Sequence, residues 1–111
     1  MKDERYPEYA SKFPELGFYV LPDDVQGGES VDLWATGGLG SSPGLLIISS
    51  VNGVPTTRLV AQFSFRRSGY WIRRDLDVPP SVSGNSIGMK VIGFTDCGPL
   101  GISNEDILVV R

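Results

Sequence analysis

The chain has 111 residues, enough for one domain and one hydrophobic core, because a second core would have too little apolar surface to bury. Hydrophobic residues at 41% and charged residues at 21% exclude a disordered chain, and no run approaches the ~18 apolar residues of a membrane helix. Histidine is absent and cysteine occurs once, at Cys97, which excludes histidine triads, the usual zinc sites and an internal disulfide, so no cofactor or metal is expected.

The net charge of −3 divides into −5 over residues 1–32 (eight acids, three bases) and +2 over residues 33–111 (five acids, seven bases). An acidic total argues against nonspecific nucleic-acid binding. Fourteen glycines and eight prolines lie between apolar runs, as strand punctuation does, rather than in one low-complexity tract.

Residues 1–16 mix Pro, Glu, Lys, Tyr and Phe without period-2 or period-3.6 order and read as a non-β arm, with "PEYASKF" long enough for one helical turn. Tyr6, Tyr9 and Phe13 are too many aromatics for a purely solvated tail, so the arm is expected to lie along the domain or reach a neighbouring subunit; a frayed terminus is the plain alternative. The charged start lacks the apolar stretch of a signal peptide. The expectation is synthesis in the cytosol, with packaging into a virion or complex as an open possibility.

From Gly17 onward β signals are dense. "GFYVLP" reads as an edge strand ended by Pro22, and "DDVQGGE" as a turn. In "SVDLWAT", Val31, Leu33 and Ala35 share one face and Asp32, Trp34 and Thr36 the other, which predicts one face on the core and one toward solvent or a partner. "LLIISSV" is the most apolar run and reads as a central strand. Asn52 and Gly53 both tolerate positive φ and predict a two-residue hairpin turn, with Pro55 marking the returning strand as an edge or as one that pairs only from Thr56.

A second reversal is expected at Ser68-Gly69, placing Phe65 near Ile72 across a strand pair. "DVPPSVSGNS" reads as a loop, "IGMKVIGFT" as a strand with Ile87, Met89 and Val91 on one face, "DCGPLGIS" as a longer turn, and "NEDILVVR" as the last strand. About seven short strands at such intervals predict residues 17–111 to be an all-β antiparallel sandwich enclosing Leu33, Ile47 and Val91, with a partly open barrel second.

In "VQGGESVDLWATG", "VNGVPTTRLV", "DVPPSVSGNSIGMKVIGFTD" and "GISNEDILVV" the chain resembles bacterial and phage immunoglobulin-like or fibronectin-type domains over residues 17–111. It departs from antibody domains in lacking the cysteine pair and in carrying Trp34 on an earlier strand. The resemblance implies an immunoglobulin-like sandwich that binds, spaces or decorates rather than catalyses.

"RRSGYWIRR" is the most unusual surface signal. If the glycine turn reverses the chain, Arg66, Arg67, Arg73 and Arg74 converge around Tyr70 and Trp71, a docking face for an acidic partner, a glycan or a phosphate. The plainer reading has these arginines bridged to Asp75, Asp77 and the acidic first segment, with Trp71 or Ile72 in the core. Trp34, Tyr70 and Trp71 form either a sugar-stacking platform or core filling.

The acids Asp23, Asp24, Glu29, Asp96, Glu105 and Asp106 fall in loops or at strand ends without the spacing of a calcium loop, and read as turn residues. Cys97 has no histidine to activate it, and no Gly-x-Ser-x-Gly or Ser-x-x-Lys motif occurs. The expected function is a non-catalytic structural module, such as a phage capsid-decoration or tail component, with protein partners met through the arm and the arginine segment. A carbohydrate-binding module is the alternative, and neither nucleic acid nor membrane insertion is expected.

Overall fold

The computed structural model describes residues 16–38, 40–95 and 98–111. Among these residues the chain forms nine strands: β1 (Gly17–Leu21), β2 (Asp24–Val25), β3 (Ser30–Thr36), β4 (Pro43–Val51), β5 (Val54–Ser64), β6 (Trp71–Asp77), β7 (Asn85–Thr95), β8 (Gly98–Ile102) and β9 (Asp106–Val110). A single 3-10 turn, Pro80–Val82, precedes β7. The arm residues Tyr6, Tyr9 and Phe13 lie outside the described residues.

Two sheets face each other. The smaller has the order β1-β3-β6, and the larger runs β2-β9-β7-β4-β5 with β8 also paired to β7. The fold is therefore an all-β sandwich. Its pairings are antiparallel except for the two-residue β2, which runs parallel to β9 and was read from sequence as part of a turn.

Between the sheets Phe18, Val20, Leu33, Ala35, Leu46, Val91 and Val110 are each almost wholly buried. Each of these side chains except the small Ala35 contributes about 1.5–3 kcal/mol relative to exposure. Leu33 and Val91 thus point inward as their alternation predicts, whereas Ile47 does not. Its neighbour Leu46 takes the core position, and Ile47 lies opposite Lys90 and Leu59, half-buried.

Asn52 and Gly53 adopt φ of 52° and 80° and join β4 to β5 as the sequence predicts. The second reversal has another outcome. Arg66 and Tyr70 do close a tight loop, the Arg66 N–H donating to the Tyr70 carbonyl at 2.8 Å, but β5 and β6 then enter different sheets. Ile72 pairs with Trp34 rather than with Phe65, because a reversal at this point links the layers instead of extending one.

The segment read as a long turn after β7 contains β8. Strands β8 and β9 follow one another along the same edge of β7, β8 beside Ile92–Thr95 and β9 beside Asn85–Met89. Ser103 bridges the gap: its N–H donates to the Val91 carbonyl, and its hydroxyl accepts from the Val91 N–H, both at 2.8 Å. A side-chain oxygen therefore takes over one ladder position where the backbone bends away, which keeps buried groups paired.

That bend turns Asn104 and Asp106 toward the other sheet. The Phe18 N–H donates to Asn104 Oδ1 at 3.0 Å, and Asn104 Nδ2 donates back to the Phe18 carbonyl at 3.0 Å. Two residues on, the Val20 N–H donates to Asp106 Oδ2 at 2.9 Å. The outer edge of β1 is thus closed by side chains of the opposite layer, which hides backbone groups that would otherwise recruit another strand.

Candidate interaction surface

The layers are unequal. The larger sheet carries β4 and β5 past the edge of the smaller one, so the flank between β5 and β6 is open while the β1–β9 flank is latched. Inside the open flank lies a cleft of about 300 Å³ lined by Val31, Ile48, Val60, Leu76, Ile87 and Met89 among others, with Asp77 the one charged wall residue among the described residues. A second hollow of about 280 Å³ shares Ile48 and follows the inner side of the hairpin past Val54 and Arg58.

Strand β5 borders both hollows and, among the described residues, has only β4 as a strand partner. Its first seven residues, 54–60, are all exposed, including Val54 at 65%, Leu59 at 52% and Val60 at 41%. Of its eleven residues only Arg58 is charged. Strand β6, the other border, is built differently: Arg73, Arg74, Asp75 and Asp77 make four of its seven residues charged. A bulge at Arg74-Asp75, with Asp75 at φ 55° and its N–H donated to Asp32 Oδ1 at 3.0 Å, further distorts that edge. Charges and bulges are the usual devices that keep an edge strand from pairing.

The four arginines divide between the loop and β6. Arg66 stands over the Tyr70 ring at 5.5 Å, and Arg67 is exposed in the same loop. Arg73 and Arg74 lie down β6, about 10 Å further at the usual strand rise. Arg74 approaches Asp32 at 3.7 Å, whereas Arg73 is exposed beside Leu33. Backbone explains the separation: β6 runs away from the loop as an extended strand.

The two tryptophans sit on opposite faces of the smaller sheet. Trp71 pairs with inward-facing Ala35 and stacks on Phe63 of the other layer, ring centroids 4.1 Å apart and planes at 16°. Trp34, one position along β3, faces away from the core and lies 5.3 Å from Tyr19. It is nonetheless 2% exposed and its neighbour Thr36 1%, so both faces of β3 are buried, unlike the one-sided pattern expected from alternation. Among the described residues neither Trp34 Nε1 nor Thr36 Oγ1 has a hydrogen-bond partner. A flat platform made jointly of Trp34 and Trp71 cannot form across a sheet.

The acids read as turn residues have separate tasks. Asp24 accepts from Arg111 Nε at 2.7 Å, and Glu29 accepts the Gln26 N–H at 2.6 Å within its own turn. The Ser49 hydroxyl donates to the Glu105 carboxylate, which holds its pKa below the ordinary glutamate value, burial opposing and Ser50 and Lys90 assisting. Burial pushes Asp106 above the ordinary aspartate value, against the N–H groups of Val20 and Ile107. Among the described residues no three His, Cys, Asp or Glu gather as a metal group, and Asp96 and Cys97 lie outside the described residues.

Two features of this surface escaped sequence reasoning. The unguarded character of β5 was written in "VPTTRLVAQFS", where one charge in eleven residues is unusual for an exposed strand. Asn104, in "GISNED", gave only a turn signal.

No family model matches the chain, and no curated protein matches it. Among solved structures it is similar to Spo0M, a sporulation control protein from Bacillus subtilis, with 12% sequence identity and a TM-score of 0.43 over 87% of this chain. The chain spans 49% of that protein's length. Likeness at this level carries no inference about what the chain does.

Proposed function

We propose that the chain is a non-catalytic interaction module of immunoglobulin-like type, a small subunit of a larger assembly such as a phage virion or another multi-subunit complex. The strand order supports the immunoglobulin-like reading. With β1, β3 and β6 as strands A, B and E, and β9, β7, β4 and β5 as G, F, C and C′, the described strands keep the A-B-E and G-F-C neighbour orders of an immunoglobulin-like sandwich, with a C′ strand and without strands D and C″.

The observation that carries the functional reading is β5, eleven residues long, mostly exposed, nearly free of charge and open along one side. A sheet edge of this kind offers unpaired backbone groups and apolar side chains together, which is the chemistry of strand addition. The arm, with Tyr6, Tyr9 and Phe13, serves as a second anchor, and Arg66, Arg67 and Tyr70 at the loop end supply polar contacts at the rim.

The test is isolation of the chain from the cells that encode it. Full-length chain is expected to travel with a stoichiometric heterologous partner, and a variant lacking residues 1–16 is expected to lose that partner while keeping its β spectrum. A full-length chain that runs without any heterologous partner overturns the proposal.

A further inference from the structure

We infer that β5 pairs antiparallel with β5 of a second copy of this chain, joining the larger sheets of two molecules into one. The inference rests on reading the module as an interaction device and names one partner of its edge.

Two edges border the open flank, and they are treated oppositely. On β6 four charged side chains in seven residues and a bulge make strand addition unfavourable, since an incoming strand would meet charges it cannot pair. On β5 the single charge is Arg58, and Val54, Leu59 and Val60 stand exposed on a strand whose outer edge meets no other strand among the described residues. An edge left unguarded while its neighbour is guarded is an edge kept for pairing.

A second β5 fits this edge by charge and by length. A twofold axis perpendicular to the strand makes the contact isologous, so the lengths match by construction. Each copy brings only Arg58, and any antiparallel register except one centred on that residue keeps the two guanidinium groups from facing each other. The threonines, valines and leucine of "VPTTRLV" are good cross-strand neighbours for one another. Val60, at the rim of the 300 Å³ cleft, would lose its exposure in the pair, and Pro55 lies near the hairpin end where a missing N–H interrupts least.

The purified chain alone decides the matter, by sedimentation or light scattering over a concentration series. The expected result is twice the chain mass, falling to the chain mass in Leu59→Lys and Thr57→Lys, both exposed positions, with the far-ultraviolet spectrum unchanged. Amide exchange over residues 54–62 should slow as wild-type concentration rises, while exchange in β7 stays constant. A monomer throughout, a dimer that survives both lysine substitutions, or β5 exchange independent of concentration overturns the inference. Should the lysine variants misfold, the wild-type exchange series still decides. A monomeric result leaves the heterologous partner of the proposed function untouched, because that partner is sought in cells rather than in the purified chain.

Discussion

The side-chain amide of Asn104 grips both backbone polar groups of Phe18, accepting from its N–H and donating to its carbonyl, each at 3.0 Å. A residue from the larger sheet thereby imitates a neighbouring strand for β1 of the smaller sheet. Replacing Asn104 with Asp keeps the acceptor, removes the donor and sets a carboxylate against the Phe18 carbonyl. The expected loss is about 1–3 kcal/mol, the usual consequence of leaving a buried backbone group unpaired. Urea unfolding checks it: the midpoint should fall while the slope stays constant.

Asp106 gives a pH signature. Its folded pKa lies above the ordinary value because burial penalises the charged form, so the folded chain binds this proton more readily than the unfolded chain. The contribution of Asp106 to stability therefore rises as pH falls from its folded pKa to the ordinary aspartate value, and is constant below that. In Asp106→Asn the amide oxygen still accepts from Val20 with no charge to desolvate. The difference in unfolding free energy between variant and wild type should favour the variant at neutral pH and shrink on acidification through that window. A difference that grows on acidification contradicts the assignment.

Gly69 and Gly53 share a φ of +80° in different surroundings. A Cβ at Gly69 would sit 2.5 Å from the Gly38 carbonyl oxygen, while one at Gly53 meets nothing within 4 Å. Gly53→Ala is expected to lose only the left-handed backbone penalty, about 1 kcal/mol. Gly69→Ala adds a collision with backbone and is expected to lose about 2–4 kcal/mol. Thermal denaturation of both variants side by side tests the ordering.

Legibility in the sequence followed the physics of each element. Val31, Leu33 and Ala35, like Ile87, Met89 and Val91, alternate because one face of a strand meets the core, and that pattern survives reading without coordinates. Asn52-Gly53 was legible because few residues tolerate its backbone angles. Strand β8 was not, since "GPLGI" has glycine and proline where strands seldom do and is held by its neighbour β7 rather than by its own preference. The strand pairing after Ser68-Gly69 was hidden for a related reason: a glycine turn reveals that the chain reverses but not which sheet the next strand joins. Alternation alone put Trp34 on the face toward solvent or a partner, while its size argued for core filling, and its burial accords with the second reading because alternation reports one buried face and is silent about another.

The Ser103 bridge and the Asn104 clasp that follows it give the molecule a spine. Along that side the layers cannot slide or part without breaking the bonds to Phe18 and Val20, whereas on the far side they meet through side-chain packing, such as Phe63 on Trp71. Thermal breathing is consequently expected to be lopsided, the leaves of the sandwich hinging about the spine and the fore-edge opening first.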